Sequence, residues 1–127
     1  MRCVAVGCTI MLLITFLIPG NALGAHACLE SWYQTAWCDA HAGKREILMP
    51  DGSRCDCVTV SHAIEIEFAV KWAEAIGQAL FYSLQTGKRG GIVLIVERDS
   101  ELRFWIRLNS TIQHFGLPLD TWMVGYP

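Results

Sequence analysis

The residues of this 127-residue chain best suited to chemistry are three acidic residues close together in the sequence. Asp56 lies in the alternating segment 54–60, and Glu65 and Glu67 lie in the next segment, 63–68. Alternation of apolar and polar residues is typical of β-strands with one buried face. Carboxylates that share one face of a sheet repel one another, and hard cations such as Mg²⁺ or Mn²⁺ offset that repulsion. The pattern therefore predicts a metal site with Asp56, Glu65 and Glu67 as ligands.

A tight turn at residues 61–62 would join these two segments as a β-hairpin and fix which side chains share a face. In that register the opposed pairs are Val60 with Ala63, Val58 with Glu65, and Asp56 with Glu67. All three carboxylates then point to one side of the sheet, because alternate residues of a strand share a face. The other side, which includes Cys55 and Cys57, is predicted to pack under the first helix.

Two polar residues of the following helix complete the predicted site. Lys71 lies four residues after Glu67, and Gln78 lies two helical turns after Lys71. An ammonium group and an amide are therefore expected to overlook the acidic face. Alternatively, Gln78 is simply a polar residue on an exposed helix face.

Four cysteines follow the N-terminal segment: Cys28, Cys38, Cys55 and Cys57. An even number in an exported chain favours disulfides. Ten helical residues separate two Cα atoms by about 15 Å, too far for Cys28 to pair with Cys38. Cys55 and Cys57 are neighbours on one strand face and are poorly placed to bond each other. Disulfides are therefore predicted to join the first helix to the strand, and a zinc site is the alternative.

Residues 1–24 predict a signal peptide that is cleaved somewhere within positions 22–27. Arg2 precedes an apolar run at 4–18, a Pro-Gly pair ends that run, and small residues follow. A retained membrane anchor is the alternative, although the run is shorter than the ~20 residues that a bilayer span needs. The sequence thus predicts a protein exported to the periplasm or the cell exterior, with no stable membrane span after cleavage.

The remaining residues, 25–127, predict one α/β domain. Its elements are a helix at 29–41, strands at 46–49, 54–60 and 63–68, a helix at 70–86, a strand at 92–96, a helix capped near Asp99, and a strand at 117–124. Short turns make the first three strands an antiparallel meander, and the helix at 70–86 returns the next strand parallel to them. Pro118 places the last strand at an edge, because it cannot donate to a ladder.

Apolar spacing also predicts which face of the second and third helices is buried. The predicted stripes are Ala73, Ile76, Gly77, Leu80, Phe81 and Leu84 in the second helix, and Leu102, Trp105, Ile106, Leu108, Ile112 and Phe115 in the third.

This arrangement resembles the PD-(D/E)XK nuclease superfamily over nearly the whole of residues 25–127. The family's restriction-endonuclease-like core runs helix, three strands, helix, strand, with Asp on the second strand and Glu-x-Lys on the third. Several branches add a Gln on the next helix. The resemblance rests on Asp56, Glu65-Ile66-Glu67, Lys71 and Gln78, and Glu30 matches an acid that some members carry in the first helix. The chain departs from the motif at Cys55, where Pro is usual, and at Glu67, where Lys is expected.

The resemblance implies a Mg- or Mn-dependent hydrolase of phosphodiesters in DNA or RNA. Asp56 and Glu65 would bind the metal, and Glu67 could complete the coordination shell of the metal. Lys71 would orient the attacking water or neutralise the transition state in place of the missing motif lysine. Gln78 would position phosphate or water.

The charge balance favours an alternative. Removing residues 1–24 takes away one charged residue, Arg2, and leaves nine basic against twelve acidic residues, a net charge of −3. Nucleic-acid-binding proteins usually present a basic surface, because phosphate neutralisation supplies much of their affinity. The alternative is a catalytically inactive secreted binding or structural module with a nuclease-like fold. The three carboxylates are then only the solvent-exposed face of a sheet.

Overall fold

Helices and strands alternate along residues 25–125, the part of the chain described by this computed structural model. The helices are α1 (Glu30–Ala40), α2 (Trp72–Thr86) and α3 (Leu102–Phe115). The strands are β1 (Lys44–Leu48), β2 (Arg54–Val58), β3 (His62–Phe68), β4 (Arg89–Ile95) and β5 (Leu119–Val124). Single 3₁₀ turns at Ala69–Lys71 and Asp99–Glu101 precede α2 and α3. The predicted element order is confirmed.

The five strands form one mixed sheet in the order β1-β2-β3-β4-β5. The pairs β1–β2 and β2–β3 are antiparallel, and the pairs β3–β4 and β4–β5 are parallel. The predicted meander, the parallel return after α2 and the edge position of β5 are all confirmed. Residues 90–95 of β4 are buried, as expected for an apolar strand that is covered on both faces.

The helices cover the two faces of the sheet unequally. On one face, Tyr33 and Trp37 of α1 pack with Ile64 and Ile66 of β3. On the other face, α2 and α3 pack against β4 and β5; the buried residues of that cluster are Ala69, Ala75, Ala79, Ile92, Leu94, Val96, Leu108 and Leu119. The result is a three-layer α/β architecture with β3 and β4 at its centre.

The predicted buried face of α2 is right at Ile76, Leu80 and Phe81, which pack against the core, and wrong at its other three residues. The helix packs on the sheet through Ala75, Ala79 and Tyr82, whereas Leu84 is 77% exposed. The predicted stripe residues Ala73 and Gly77 are exposed as well. Apolar residues occur on both sides of α2, so periodicity alone could not choose the face that meets the sheet.

The predicted inner face of α3 is right in its centre and wrong at two positions. Leu108 is fully buried, and Leu102, Trp105 and Ile112 pack against the same core. Ile106 and Phe115 are instead exposed. Both residues lie outside the side of α3 that packs against α2 and the sheet.

One of the predicted links between the first helix and the second strand is confirmed. Cys38 and Cys57 form a disulfide, and their Cα atoms are 5.8 Å apart. Gly43 lies against this bridge, where an added Cβ atom would be 2.7 Å from the sulfur of Cys38. The prediction that Cys55 also bridges to the helix is wrong: Cys55 is a free, buried thiol. It packs on the side of the sheet that carries α2, whereas Cys28 packs on the side of α1.

The first described residues run beside the carboxylate of Glu97. This group lies 2.8 Å from His26 Nδ1 and accepts hydrogen bonds from the Ala27 backbone at 3.0 Å and the Tyr33 hydroxyl at 2.9 Å. The ring of His26 stacks on Phe68 at the end of β3. The predicted signal peptide, residues 1–24, lies outside the described residues. Between residues 25 and 125, none of the helices is long and apolar enough to cross a membrane.

Candidate active site

The hairpin that carries the predicted ligands has a wider loop than the sequence predicts. Val58 pairs with Ala63, so a three-residue loop replaces the predicted turn at 61–62. The Thr59 N–H donates to the carbonyl of His62, and the His62 N–H donates to the Thr59 hydroxyl, which closes this loop. The observed register differs from the predicted one by two residues. A shift of two keeps Glu65 and Glu67 on their predicted face, because the side-chain period of a strand is two, whereas Cys55 leaves its predicted face and packs on the side of α2.

Strands β2 and β3 separate just beyond their last paired residues, and Asp56 lies at this fork. Its Oδ2 atom accepts a hydrogen bond of 2.8 Å from the backbone N–H of Ile66. The side chain thus replaces a ladder hydrogen bond and is held against β3. On the other side, the charge of Glu46 in β1 acts on Asp56. Glu46 has a φ of 53°, an uncommon left-handed backbone conformation for a non-glycine residue.

Four carboxyl groups meet at this fork, and we call Glu30, Asp56, Glu65 and Glu67 the acidic cluster. Glu65 and Glu67 of β3 are 4% and 5% exposed. The carboxyl of Glu65 hydrogen-bonds that of Asp56, and the carboxyl of Glu30, the first residue of α1, hydrogen-bonds that of Glu67. Two carboxyl groups form such a bond only when one of them carries a proton.

The pKa values of the acidic cluster reflect its burial. Burial, with the charges of Asp56, Glu67 and Glu30, raises the pKa of Glu65 to about 9. Burial raises the pKa of Glu30 to about 7, and its hydrogen bond to Glu67 adds to this effect. Burial also raises the pKa of Asp56 to about 6, against the lowering effect of the hydrogen bond from Ile66. Without a cation the cluster therefore retains protons near neutral pH.

Two acceptor atoms beside the cluster lack a donor. Glu65 Oε2 and Gln78 Oε1 are buried, and within residues 25–125 no N–H or O–H donates to either atom. The side-chain amide of Gln78 is also hydrogen-bonded to the hydroxyl of Tyr82. Buried acceptors are nearly always satisfied in native proteins. A proton or a cation at Glu65, and a bound donor at Gln78, would each satisfy one of these atoms.

Lys71 reaches the cluster from the turn that follows β3. Its Nζ atom lies 3.6 Å from Glu67 Oε2, and its side chain is 55% exposed. The other oxygen of Glu67 accepts a hydrogen bond of 2.9 Å from the backbone N–H of Phe68. The positive charge of Lys71 also acts on Glu30, whose pKa it lowers against the stronger raising effects. The structure thus brings five of the predicted site residues together: Glu30, Asp56, Glu65, Glu67 and Lys71. Gln78 is linked to them only through Tyr82, on which the charges of Glu65 and Asp56 act.

Sequence reasoning missed Tyr82, which lines the site from α2. It is buried, and burial raises its pKa to about 12, with further contributions from the charges of Glu65 and Asp56. Its position one helical turn after Gln78 is a signal that spacing alone could have supplied. Cys55 packs beside Tyr82, and burial raises the pKa of its thiol to about 12, so it forms a neutral wall of the site.

The donor atoms of the site are oxygens, which suit hard cations such as Mg²⁺ and Mn²⁺. Among the described residues, however, no group of three His, Cys, Asp or Glu side chains is arranged to hold a metal ion. The carboxyl groups instead bond to one another in two pairs. The carboxyl oxygens of Glu65 and Asp56 still fit a cation chemically, and occupation would require the pairs to lose their protons and separate.

A second polar network lies at the opposite end of the sheet. His62 Nδ1 is 2.7 Å from Ser61 Oγ, and His62 Nε2 is 2.8 Å from Asp120 Oδ2. Arg89 donates two hydrogen bonds to the same carboxylate, which lowers the pKa of Asp120 to about 2. The network joins the beginnings of β3, β4 and β5, and we assign it a structural role.

A comparison of the chain with protein-family models, with curated proteins and with solved structures finds no match in any of the three. Function is therefore inferred from the geometry of the chain's own residues.

Proposed function

We propose that the protein is an exported, divalent-metal-dependent phosphodiester hydrolase whose site is organised like that of the PD-(D/E)XK nucleases. The observation that carries the proposal is the acidic cluster at the fork of β2 and β3, in which the buried carboxyl of Glu65 lies close to those of Asp56, Glu67 and Glu30. The order of helices and strands supports it, since the sheet has the meander, crossover helix and parallel strand of that core. DNA or RNA is the proposed substrate, in the periplasm or outside the cell.

In this proposal Asp56 and Glu65 hold the cation, and Glu67 completes the oxygen set. When bound, Mg²⁺ or Mn²⁺ supplies a water of lowered pKa and stabilises negative charge on the phosphate. The protein keeps these carboxyl groups in place through the sheet. Asp56 is fixed by the Ile66 N–H, and Glu67 is fixed by the Phe68 N–H.

The polar groups around the cluster have separate roles. Lys71 lies at the solvent side of Glu67, where its ammonium neutralises charge on an incoming phosphodiester. Gln78 offers the free Oε1 atom to a donor such as an attacking water. Glu30 carries a pKa of about 7 and can therefore accept or donate a proton near neutral pH.

A second candidate function is an inactive binding or structural module. Two features favour this candidate. Glu67 occupies the position of the motif lysine of the PD-(D/E)XK nucleases, and the chain without residues 1–24 has a net charge of −3. Lys71 decides between the two candidates. An ammonium that only neutralises Glu67 would support the inactive module. An ammonium that acts on the phosphate of a substrate would support the hydrolase.

The test is cleavage of single- and double-stranded DNA and RNA by the exported protein, with Mg²⁺, Mn²⁺ or a chelator. We expect metal-dependent cleavage that Asp56→Asn and Glu65→Gln reduce by about 100-fold or more, the usual scale for loss of a group that stabilises developing charge. Lys71→Met should lower the maximal rate while metal affinity is retained.

Asp39→Asn is the matched control, because Asp39 is an exposed carboxylate at the far end of α1. It should cleave at the unsubstituted rate. Equal activity in Asp56→Asn and in the unsubstituted protein would refute the hydrolase. Absence of cleavage under every metal condition would favour the inactive module.

A further inference from the structure

Residues 25–28, which lead into α1, are held by a single buried carboxylate, and we call these residues the α1 strap. The carboxylate belongs to Glu97, which lies just after β4 and whose side chain is 3% exposed. One of its oxygens lies 2.8 Å from His26 Nδ1. The other accepts hydrogen bonds from the backbone N–H groups of Ala27 at 3.0 Å and Cys28 at 3.4 Å.

The charge of Glu97 makes this contact strong. Burial raises the pKa of Glu97, but hydrogen bonds from His26, Tyr33 and the Cys28 backbone outweigh burial and lower this pKa below its ordinary value. The carboxylate is therefore ionised near neutral pH, and a buried charge is costly unless donors surround it. Within residues 25–125, three of its donors belong to the α1 strap and one is the hydroxyl of Tyr33. Undocking the strap would remove most of the donors of a buried charge.

The position of Glu30 depends on the α1 strap. Glu30 lies two residues after Cys28, and Leu29 between them is the N-cap residue of α1. The apolar side chain of Leu29 cannot accept a hydrogen bond from the first turn of the helix. The hydrogen bonds at Ala27 and Cys28 therefore fix the direction in which the chain enters α1, and with it the place of the Glu30 carboxyl.

The α1 strap also contacts the residue that holds Glu67. The ring of His26 stacks on Phe68, with 3.6 Å between the ring centroids and 17° between the ring planes. The backbone N–H of Phe68 donates a hydrogen bond of 2.9 Å to Glu67 Oε1. Tyr33 packs edge-on against the same ring of Phe68 and also donates to Glu97. Both members of the Glu30–Glu67 carboxyl pair are thus linked to the strap.

We propose that Glu97 is a positioning residue of the acidic cluster: by docking the α1 strap, it holds the carboxyl of Glu30 within hydrogen-bonding reach of Glu67. The effect on metal binding rests on the proposed hydrolase, whereas the positioning itself does not. In sites with oxygen ligands, affinity for a cation rises with the charge of the surrounding groups and with the rigidity of the site. Once the pair has lost its proton, a docked Glu30 adds negative charge beside the proposed ligands. Release of the strap should therefore weaken Mn²⁺ binding although every ligand is retained.

Isothermal titration with Mn²⁺ tests this effect through a double-mutant cycle on the protein. We expect Glu97→Ala to raise the dissociation constant about tenfold, which corresponds to about 1.4 kcal/mol. In a Glu30→Gln background the same substitution should raise it less than about twofold, because Glu97 acts through Glu30. His26→Ala should weaken binding in the same direction. Since the side chain of His26 is 42% exposed, this variant should retain the fold.

Thr121→Val is the matched control. It removes a hydrogen bond of 2.7 Å to Asn109, which joins β5 to α3. The control should lower the melting temperature and leave the Mn²⁺ dissociation constant unchanged. A strap that only stabilised the fold would make Glu97→Ala behave in the same way as this control.

Hydrogen exchange of the metal-free protein tests the positioning independently of the proposed function. The reporters are the amide of Trp32, which is bonded to the Leu29 carbonyl in the first turn of α1, and the amide of Phe68. The amide of Leu94, a fully buried residue of β4, is the reference. Glu97→Ala should speed exchange at both reporters about tenfold relative to the reference, because local opening precedes global unfolding. Thr121→Val should change the reporters and the reference equally.

The outcomes separate the positioning from the hydrolase. Unchanged exchange at both reporters in Glu97→Ala and His26→Ala would overturn the proposal, as would an equal rise of the Mn²⁺ dissociation constant in the two backgrounds. Faster exchange at the reporters in a protein that binds no Mn²⁺ would support the positioning and refute only the hydrolase. Mn²⁺ binding that Glu97→Ala leaves intact would overturn the positioning and leave the hydrolase standing.

Discussion

Among single residues, Glu65 is the most unusual, because its carboxyl is buried with three other acids around it. Burial and these neighbours favour its neutral form in the folded protein. A group of this kind makes stability depend on pH, since the folded and unfolded chains bind different numbers of protons. The sign of that dependence follows from the direction of the pKa shift.

The metal-free protein should lose stability as pH rises from about 4.5 to about 9, the ordinary and folded pKa values of Glu65. In this window the folded chain binds more protons than the unfolded chain, so raising the pH favours unfolding. The raised pKa values of Glu30 and Asp56 act in the same direction. Thermal unfolding in a chelator across this window measures the effect.

Glu65→Gln should flatten this pH dependence, and the variant should be more stable than the unsubstituted protein near pH 9. Glu74→Gln is the control, because Glu74 is an exposed glutamate on the same side of the sheet. A stability that is constant or increases between pH 5 and pH 9 would show that the carboxyl of Glu65 is ionised in the folded protein.

The sequence was sufficient to group these residues but not to describe their pairing. Alternation along β3 fixed the shared face of Glu65 and Glu67, and that result survived a register error of two residues because parity was unchanged. Alternation failed in β2, where Cys55 and Cys57 lie on opposite faces. Alternation carries no information about the fork between β2 and β3 or about the left-handed backbone of Glu46. Both depend on how β1, β2 and β3 pair, which alternation in one strand does not encode.

Among the elements, the link between α1 and β2 depends on close packing. The disulfide between Cys38 and Cys57 closes a segment of 19 residues. Gly43 passes directly over the two sulfur atoms, where a Cβ atom would collide with both. Glycine is therefore required at this position by contact with the bridge, and φ plays no part, since Gly43 is not among the glycines with positive φ.

Gly43→Ala should destabilise the oxidised protein by about 1–3 kcal/mol, the usual cost of overpacking. The same substitution in a Cys38→Ala/Cys57→Ala background should cost much less, because the two sulfur atoms are gone. Losing the bridge alone should cost about 3 kcal/mol for a loop of this size. Urea unfolding of the four proteins measures the coupling, and additive losses would contradict the packing argument.

The helices show where periodicity is a reliable guide and where it is not. In α3 polar residues occupy one side, and the buried centre at Leu108 was predicted correctly. In α2 both sides are apolar, so the stripe through Gly77 and the stripe through Ala79 were equally good candidates. Only the packing of β3 and β4 against Ala75 and Ala79 decides between them, and no local pattern contains that information.

At the scale of the whole molecule, the acidic cluster joins three parts of the chain that are distant in sequence. The start of α1 supplies Glu30, the β2–β3 fork supplies Asp56, Glu65 and Glu67, and the turn before α2 supplies Lys71. The chain carries more acid than base, so the proposed hydrolase would hold nucleic acid through a bound cation and not through a basic surface. The whole proposal therefore depends on whether a divalent cation binds at this cluster.

Isothermal titration of the protein with Mn²⁺ near pH 7, in buffers of different ionisation enthalpy, measures this binding and the protons that it releases. We expect saturable binding with proton release, because the carboxyl pairs must lose protons before their oxygens can bind a cation. Glu65→Gln should abolish the binding, and Asp39→Asn should leave it intact. No Mn²⁺ binding by the unsubstituted protein, or equal binding by Glu65→Gln, would show that the acidic cluster is not a metal site.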